Sequence, residues 1–224
     1  SFEAELQNGI RISVEATRLL SMTRDELGAI RYEVRVLEQD AMVEAEPYLD
    51  SGITNEDTNW DDQFWETTEI GTKGSRAYIQ AHTLKTKFHT CTFMDARLVL
   101  DGKELDISPE KREKDTYIGH RYSVEVPAGQ SLTIYMNHPA DGLIKASNEV
   151  MDAALDKGFG VLMEEQRKAW ADIWEMSDIT IEGDVKAQHG IRFNILHLNQ
   201  TYTGRDSRLN IGPKGFTGEK YGGS

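Results

Sequence analysis

Alternating apolar and polar side chains dominate the first two thirds of the chain and predict β-strands. Segments 76–84 and 87–100 read as strands, and Asp101 and Gly102 close the second of them. The clearest alternation puts an apolar side chain at every second position, at Ile10, Ile12, Val14 and Ala16, and again at Ile30, Tyr32, Val34 and Val36. Because successive side chains of a strand point to opposite faces, a period of two indicates strands with one buried face.

A further alternating stretch predicts a β-hairpin. Its apolar positions are Tyr122, Val124 and Val126 before the turn, and Leu132, Ile134 and Met136 after it. The residues between them, 127–130, are Pro-Ala-Gly-Gln, a composition typical of turns. Long strands with one polar face and frequent turns favour antiparallel sheets packed face to face. The pattern alone therefore predicts a mainly β sandwich and says nothing of its purpose.

After residue 138 the apolar period becomes helical. One predicted helix face carries Leu143, Val150, Ala154 and Leu155, and the next carries Leu162, Met163, Gln166, Trp170, Ile173 and Trp174. Gly158 and Gly160 separate the two faces and predict a break. Asp184 is a good N-cap for a second helix over residues 185–200, with an apolar stripe at Ile191, Ile195, Leu198 and Tyr202.

Two groups of aromatic residues are candidates for sugar stacking. Trp170 and Trp174 lie one helical turn apart, a spacing that serves a sugar-binding pair or, more commonly, a packed core. Trp60, Phe64 and Trp65 share one loop and form either a stacking platform or an anchor or interface for that loop. Both alternatives stay open at the level of sequence.

The charge argues against nucleic-acid and membrane partners, and the cysteine content bears on disulfide bonds and the cellular compartment. Lys and Arg number 25 against 38 Asp and Glu, so the formal charge is -13, which repels nucleic acid and anionic membrane surfaces. The single cysteine, Cys91, rules out an internal disulfide and fits a reducing compartment, so we expect a cytoplasmic protein. No apolar run reaches about 18 residues. A strand-like alternation begins at the amino terminus itself. We expect neither end of the sequence to be a natural terminus of the protein.

The sequence predicts no metal site. The acidic loop Asp57–Asp62 places oxygen ligands at alternate positions, as calcium loops do. It departs from that pattern twice, because Asp62 stands where the turn glycine belongs and Thr68 occupies the twelfth position. His89 and Cys91 share one strand face, but two ligands without a second pair do not make a zinc site. We expect a packed cysteine and a half-buried histidine instead.

A glycine-rich run at residues 211–223 holds five of the 19 glycines. Glycine admits positive φ and lets backbone approach a ligand closely, so the run could cradle a phosphate. It lacks the spacing of a nucleotide-binding P-loop, because Gly212 and Gly218 are six apart and Glu219 follows Gly218. The run alone therefore does not separate a phosphate cradle from an ordinary connecting loop.

The amino-acid sequence of this run, together with that of the helix before it, resembles a known protein family. The segments are His197-Leu-Asn-Gln-Thr-Tyr202 and Arg208-Leu-Asn-Ile-Gly-Pro-Lys-Gly-Phe-Thr-Gly-Glu-Lys-Tyr-Gly-Gly-Ser224. They are similar to the start of the catalytic barrel in glycoside hydrolase family 65, which includes the maltose, trehalose and kojibiose phosphorylases, and most of all to the maltose phosphorylases. Residues 161–182 carry a weaker resemblance.

The resemblance implies three parts. They are a galactose mutarotase-like β-supersandwich over residues 1–138, a helical linker over 139–182, and over 183–224 the first helix of a truncated (α/α)6 barrel. It also implies that the parent is an inverting disaccharide phosphorylase that converts maltose and phosphate to β-glucose 1-phosphate and glucose. Phosphate would be a co-substrate, and no cofactor is implied.

By the same resemblance, the acid that protonates the leaving oxygen and the residues that hold the glucosyl unit lie beyond residue 224. No catalytic residue is therefore assigned here, and Glu219 is not the acid. Phe216, Glu219, Lys220 and Tyr221 precede the glucose-holding segment and are the expected substrate contacts. We expect the chain itself to be inactive, its disaccharide to bind through the missing barrel, and the protein to be a homodimer. The alternative is a non-enzymatic sandwich that binds carbohydrate or serves assembly.

Overall fold

The structure is a computed structural model that describes residues 1–52, 54, 63–73, 75–141, 144–201 and 204–205. It confirms a mainly β chain built from two antiparallel sheets and followed by helices. The chain divides into two compact units, one of residues 1–52 and 64–166 and the other of residues 53–63 and 167–224. The three-part division at residues 138 and 182 stays a prediction.

Within its described residues, the first unit contains twelve strands. They are β1 (Phe2–Glu5), β2 (Arg11–Leu20), β3 (Leu27–Val36), β4 (Ala41–Ala45), β5 (Tyr48–Asp50), β6 (Trp65–Lys73), β7 (Arg76–Thr83), β8 (His89–Leu100), β9 (Lys103–Glu104), β10 (Glu110–Lys114), β11 (Tyr117–Val126) and β12 (Ser131–Asp141). The large sheet has the order β1-β2-β3-β12-β8-β7-β6, with β9 paired to β8. The small sheet has the order β10-β11-β4, and β5 also pairs with β11. The large sheet therefore has eight strands and the small sheet four.

The core lies between the two sheets. Val36, Leu98 and Leu132 of the large sheet pack against Val124 and Val126 of the small sheet. A second cluster joins strands β7 and β8 to β11 through Ala77, Ile79, Met94 and Ile118. These side chains are buried at alternate positions of each strand, so the period of two in the sequence corresponds to the face that the sandwich encloses.

The predicted hairpin of β11 and β12 is wrong. β11 pairs with β4, β5 and β10 of the small sheet, whereas β12 pairs with β3 and β8 of the large sheet. The turn after Val126 is bonded to the end of β3, because Gly129 N donates to Val36 O at 2.7 Å and Val36 N donates to Gln130 O at 3.1 Å. The chain thus crosses from one sheet to the other, and Val126 and Leu132 meet in the core from opposite sides.

The other face of the large sheet is covered by the first part of helix α1 (Ile144–Ser177). Leu27 and Ala29 contact Ala154 and Leu162, and further along the sheet Cys91 and Phe93 contact Met151. The predicted break is confirmed at Gly158, whose φ of 72° and ψ of 162° are not helical. Gly160 instead continues the helix. The boundary between the two compact units falls within α1, after Gln166.

In the second unit, the predicted helix and its cap are confirmed. Helix α2 spans Val185–Thr201, and Ala187 N donates to Asp184 Oδ1 at 3.0 Å. Gly183 adopts a φ of 85° and turns the chain into this cap. Within the residues that the structure describes, neither α1 nor α2 is long and apolar enough to cross a membrane.

Candidate functional site

The expected substrate contacts, Phe216, Glu219, Lys220 and Tyr221, lie outside the described residues, as does the whole glycine-rich run. Their role stays a prediction. What the structure does describe is helix α2, which precedes that run in the chain, and the segment that anchors the start of α2.

Three side chains attach the segment before α2 to the helix. Arg192 forms two hydrogen bonds to Asp178, Nε to Oδ1 at 2.8 Å and Nη2 to Oδ2 at 2.6 Å. The hydrogen bond from Arg192 lowers the pKa of the Asp178 carboxyl. Gln188 accepts from Ile181 N at 2.7 Å and donates to Ile179 O at 2.8 Å. Together with the Asp184 cap, these bonds fix the segment 178–184 against the first two turns of α2.

The apolar stripe of α2 is half-buried at Ile191 and Ile195 and open to solvent at Leu198. Leu198 is 69% exposed, and Phe193 and Val185 on the same helix are 62% and 70% exposed. Ile191 and Ile195 are half-buried. Within the part of the chain that the structure describes, no α2 residue is fully buried. Of the stripe that the sequence predicts, Leu198 is therefore the described residue most open to a partner.

The tryptophan pair on α1 favours the packing interpretation. The rings of Trp170 and Trp174 have centroids 6.2 Å apart at an angle of 31°, and both side chains are half-buried. Each ring thus covers part of the other, as in ordinary aromatic packing. Two rings that contact each other in this way do not present a shared free face to a sugar.

The loop aromatics are partly exposed at the start of β6. Phe64 and Trp65 are 41% and 38% exposed, and Trp60 lies outside the described residues. Phe64 O accepts a hydrogen bond from Leu84 N at 2.9 Å, which places these rings beside the β7–β8 connection. Leu84 and Phe88 in that connection are also 44% and 43% exposed. Both the stacking and the interface interpretations therefore remain consistent with Phe64 and Trp65.

The predicted packed cysteine is confirmed, whereas the half-buried His89 is not. Cys91 is fully buried beneath α1, and its carbonyl accepts from Ser147 Oγ at 3.1 Å. His89, the first residue of β8, is exposed. His89 instead contacts the ring of His82, 5.3 Å away. Among the residues that the structure describes, no group of three or more His, Cys, Asp or Glu could hold a metal ion.

An arginine network that sequence reasoning missed joins the large sheet to α1. Arg76 on β7 donates from Nε to Asp95 Oδ2 at 3.2 Å, from Nη1 to Asn148 Oδ1 at 2.8 Å and from Nη2 to Asp152 Oδ1 at 2.6 Å. Burial alone lowers the pKa of Arg76, but the hydrogen bonds to Asp152 and Asp95 outweigh it and raise the pKa. The signal available in the sequence was an arginine in a strand whose other positions are mostly apolar.

A tyrosine pair on the small sheet was also missed. The Tyr117 and Tyr48 rings are stacked, with centroids 5.1 Å apart and an angle of 26°. Tyr117 Oη donates to Glu46 Oε1 at 2.6 Å. Burial and this hydrogen bond to Glu46 raise the pKa of Tyr117 to about 12. The signal in the sequence was the order Tyr117, Ile118, Gly119, which puts a glycine next to a tyrosine on one strand face.

Comparison with known families gives two matches along this chain. The glycosyl hydrolase family 65 N-terminal domain matches residues 1–173. The glycosyl hydrolase family 65 central catalytic domain matches residues 192–224. The first match contains the sandwich and most of α1, and the second begins within α2.

Individual relatives agree with these matches. Maltose phosphorylase of Bacillus subtilis (strain 168) is 34% identical over 217 residues, which are 95% of this chain and 29% of that protein. Alpha,alpha-trehalose phosphorylase of Thermoanaerobacter brockii is 28% identical, over 98% of this chain and 30% of that protein. A solved structure of a candidate kojibiose phosphorylase from the human microbiome has the same fold, with a TM-score of 0.78 and 23% identity over 97% of this chain and 29% of that one. The chain thus spans less than a third of the length of these relatives.

Proposed function

Because the chain belongs to glycoside hydrolase family 65, we propose that it is the N-terminal part of an inverting disaccharide phosphorylase. The proposed reaction of the parent enzyme converts maltose and phosphate to β-glucose 1-phosphate and glucose. The observation that carries the proposal is the 34% identity to a maltose phosphorylase over 95% of this chain. The same sandwich-and-helix fold in a candidate kojibiose phosphorylase is consistent with it.

The proposed chemistry requires a single catalytic carboxylic acid, which we place outside residues 1–224. In an inverting phosphorylase, one carboxylic acid protonates the leaving oxygen, and phosphate attacks from the opposite face of the sugar. Phosphate is already an anion, so it does not need the second carboxylate that activates water in an inverting hydrolase. Phosphate is then the co-substrate, and no further cofactor is proposed.

In this proposal, the described residues position helix α2, which leads into the glycine-rich run of the proposed disaccharide site. The Asp178–Arg192 pair, the Gln188 hydrogen bonds and the Asp184 cap fix the start of α2. We propose that the run after α2 forms a wall of the disaccharide site through Phe216, Glu219, Lys220 and Tyr221. We also propose a cytoplasmic homodimer that binds neither nucleic acid nor membrane, in keeping with the formal charge of -13 and the single cysteine.

The first test compares the 224-residue chain with the longer protein that contains it. Glucose 1-phosphate is measured after incubation with phosphate and maltose, trehalose or kojibiose. We expect phosphate-dependent release from maltose by the longer protein and none by the 224-residue chain. Release by the short chain would contradict the proposed inactivity. Release of free glucose without phosphate would contradict the phosphorylase.

The second test examines the proposed site wall in the longer protein. Lys220→Ala removes a cation that could bond to phosphate or to a sugar hydroxyl, and we expect kcat/KM to fall about 10-fold or more. Lys214→Ala is the matched control, because it removes the same charge from the same glycine-rich run. An unchanged kcat/KM for both phosphate and disaccharide in Lys220→Ala would remove Lys220 from the site.

A further inference from the structure

The turn between β1 and β2 contains an Asn-Gly pair, Asn8 and Gly9, and no other asparagine of the sequence is followed by glycine. Both residues are exposed. Gly9 has a φ of 80°, and no atom lies within 4 Å of the position that a Cβ would occupy. Because glycine has no Cβ to shield its backbone nitrogen, the side-chain amide of Asn8 can be attacked by the nitrogen of Gly9.

The hydrogen bonds of this turn act on the two groups that would react. Ile10 N donates to Asn8 Oδ1 at 3.2 Å, which folds the side-chain amide back over the following backbone and draws electrons from its carbonyl carbon, Cγ. Gly9 N donates to Leu6 O at 2.8 Å, and this bond opposes loss of the Gly9 proton. The net stability of one such bond lowers the population of the open turn only about 5-fold, so it delays the attack without preventing it.

The other described asparagines lack this arrangement. They are Asn137 in β12, Asn148 in α1, and Asn194 and Asn199 in α2, and each precedes a residue with a bulky side chain. Two of them have their amide nitrogen bonded to the preceding helical turn, since Asn148 Nδ2 donates to Ile144 O at 2.8 Å and Asn199 Nδ2 to Ile195 O at 2.9 Å. Asn148 and Asn199 are therefore comparators within the same chain.

We propose that Asn8 is a site of spontaneous deamidation. The Gly9 nitrogen gives its proton to hydroxide and forms a bond to Asn8 Cγ. The bond from Cγ to the side-chain nitrogen then breaks, and that nitrogen takes a proton from water and leaves as ammonia. The product is a cyclic imide, which one water molecule opens at either carbonyl to give aspartate or isoaspartate. No oxidant or reductant is needed.

Strand β1 has little to hold it in the sheet apart from this turn and its pairing with β2. Among the described strands, β1 pairs with β2 alone. None of its four residues is fully buried, and Phe2 is 56% exposed. The ion pair between Glu3 and Arg11, at 3.7 Å, is exposed on both sides and therefore weak.

Isoaspartate at position 8 would release β1. It adds one carbon to the backbone inside a turn that is closed by Leu6 N donating to Ile10 O at 2.8 Å, and it moves the acceptor of Ile10 N. The longer connection no longer fits the register that pairs Glu5 with Arg11. We expect β1 to separate and to leave β2, a strand of ten residues, as an open edge of the large sheet.

The test is incubation of the 224-residue chain at mildly alkaline pH, followed by peptide mapping with mass spectrometry. We expect Asn8 to convert at least about 10-fold faster than Asn148 and Asn199, and its rate to rise with pH, because the attack requires loss of the Gly9 proton. Asn8→Ser is the matched control, since serine has no amide to lose and its hydroxyl can still accept from Ile10 N.

Hydrogen exchange then compares fresh and incubated chains. We expect amides of residues 2–5 to lose protection in the incubated wild type and to keep it in incubated Asn8→Ser. Conversion of Asn8 no faster than that of Asn148 and Asn199 would overturn the site. Conversion that leaves the protection of residues 2–5 unchanged, or an equal loss in Asn8→Ser, would overturn the release of β1. Neither measurement uses sugar or phosphate, so the outcome is independent of the proposed function.

Discussion

At the scale of single residues, burial and the hydrogen bond to Glu46 raise the pKa of Tyr117 to about 12, and the absence of a side chain at Gly119 leaves room for the phenol. In Gly119→Ala, the new methyl group displaces the phenol from Glu46, because a Cβ there lies 2.9 Å from Tyr117 Oη. We expect the pKa of Tyr117 to fall from about 12 toward 10.0, the ordinary value of a tyrosine. We also expect a loss of about 1 kcal/mol of stability, the net worth of one hydrogen bond.

The pH dependence follows from the sign of the shift. A raised pKa means that the folded state favours the neutral phenol, so the stability from Tyr117 is present below the unfolded pKa of 10.0 and is lost as pH rises through about 12. Titration of tyrosine absorbance measures this step. Tyr78, whose pKa is also raised to about 12 by its hydrogen bond to Glu69, is the internal control. If Gly119→Ala leaves two tyrosines titrating near 12, the proposed geometry is incorrect.

The two carboxylates of the Arg76 network differ in burial, so we expect them to contribute differently to the free energy of unfolding. The Asp95 side chain is 10% exposed and that of Asp152 is 64% exposed, although both bond to the same guanidinium. We expect Asp95→Ala to cost about 2–4 kcal/mol, because it removes a buried partner from a buried cation. Asp152→Ala should cost less than about 1 kcal/mol, since exposed ion pairs are weak. Urea unfolding compares the two, and equal losses would contradict the ranking.

At the scale of elements, the break in α1 provides a matched pair of glycines. Gly158 has φ 72° and ψ 162°, a conformation that side-chain-bearing residues rarely adopt, and Gly160 continues the helix. We expect Gly158→Ala to destabilise by about 1–3 kcal/mol. Gly160→Ala has open space around its Cβ and should stabilise by about 0.5–1 kcal/mol. Thermal unfolding measures the stability of both variants. Stabilisation by Gly158→Ala would show that the fold does not require the helix break.

Elements whose signal is local were predictable from the sequence. Strands β2, β3, β7, β8, β11 and β12, the break at Gly158 and the Asp184 cap each depend on side chains within a few residues of one another. The partners of β11 and β12 were not predictable. The turn at 127–130 is compatible with a hairpin, and only contacts with Val36, about 90 positions earlier in the chain, direct β12 into the other sheet. Short strands such as β4 and β5 carry too few positions to show a period.

Prediction of the candidate site was limited for a related reason. The resemblance depends on residues 197–202 and 208–224, and of these the structure describes only residues 197–201, at the end of α2. The stacked pair of Tyr48 and Tyr117 was missed because the two residues are far apart in sequence and become neighbours only when β5 pairs with β11. Arg76 likewise meets Asn148 and Asp152 only after α1 packs on the large sheet.

At the scale of the whole molecule, the open stripe of α2 predicts self-association. Leu198 on this stripe is 69% exposed, and burial of one such side chain is worth about 1.5–3 kcal/mol. A two-fold contact between α2 helices would cover both stripes without another partner. We expect the 224-residue chain to form a dimer, and we expect Leu198→Glu to weaken the dimer at least about 10-fold.

Light scattering over a range of concentrations measures this equilibrium. Gln200→Glu is the matched control, because it adds the same charge to the same helix at an exposed polar position. A wild-type chain that stays monomeric at every concentration would rule out the homodimer through α2.

The place of β12 in the large sheet has a consequence for the order in which the molecule forms during synthesis. This strand is the last of the sandwich to leave the ribosome, yet it lies between β3 and β8 and joins the two halves of the large sheet. Until residues 131–141 emerge, β3 and β8 each present an unpaired strand edge, and the sheet exists at most as two separate ribbons. Such edges pair readily with other nascent chains. We therefore expect the large sheet to close only after residues 131–141 have left the ribosome.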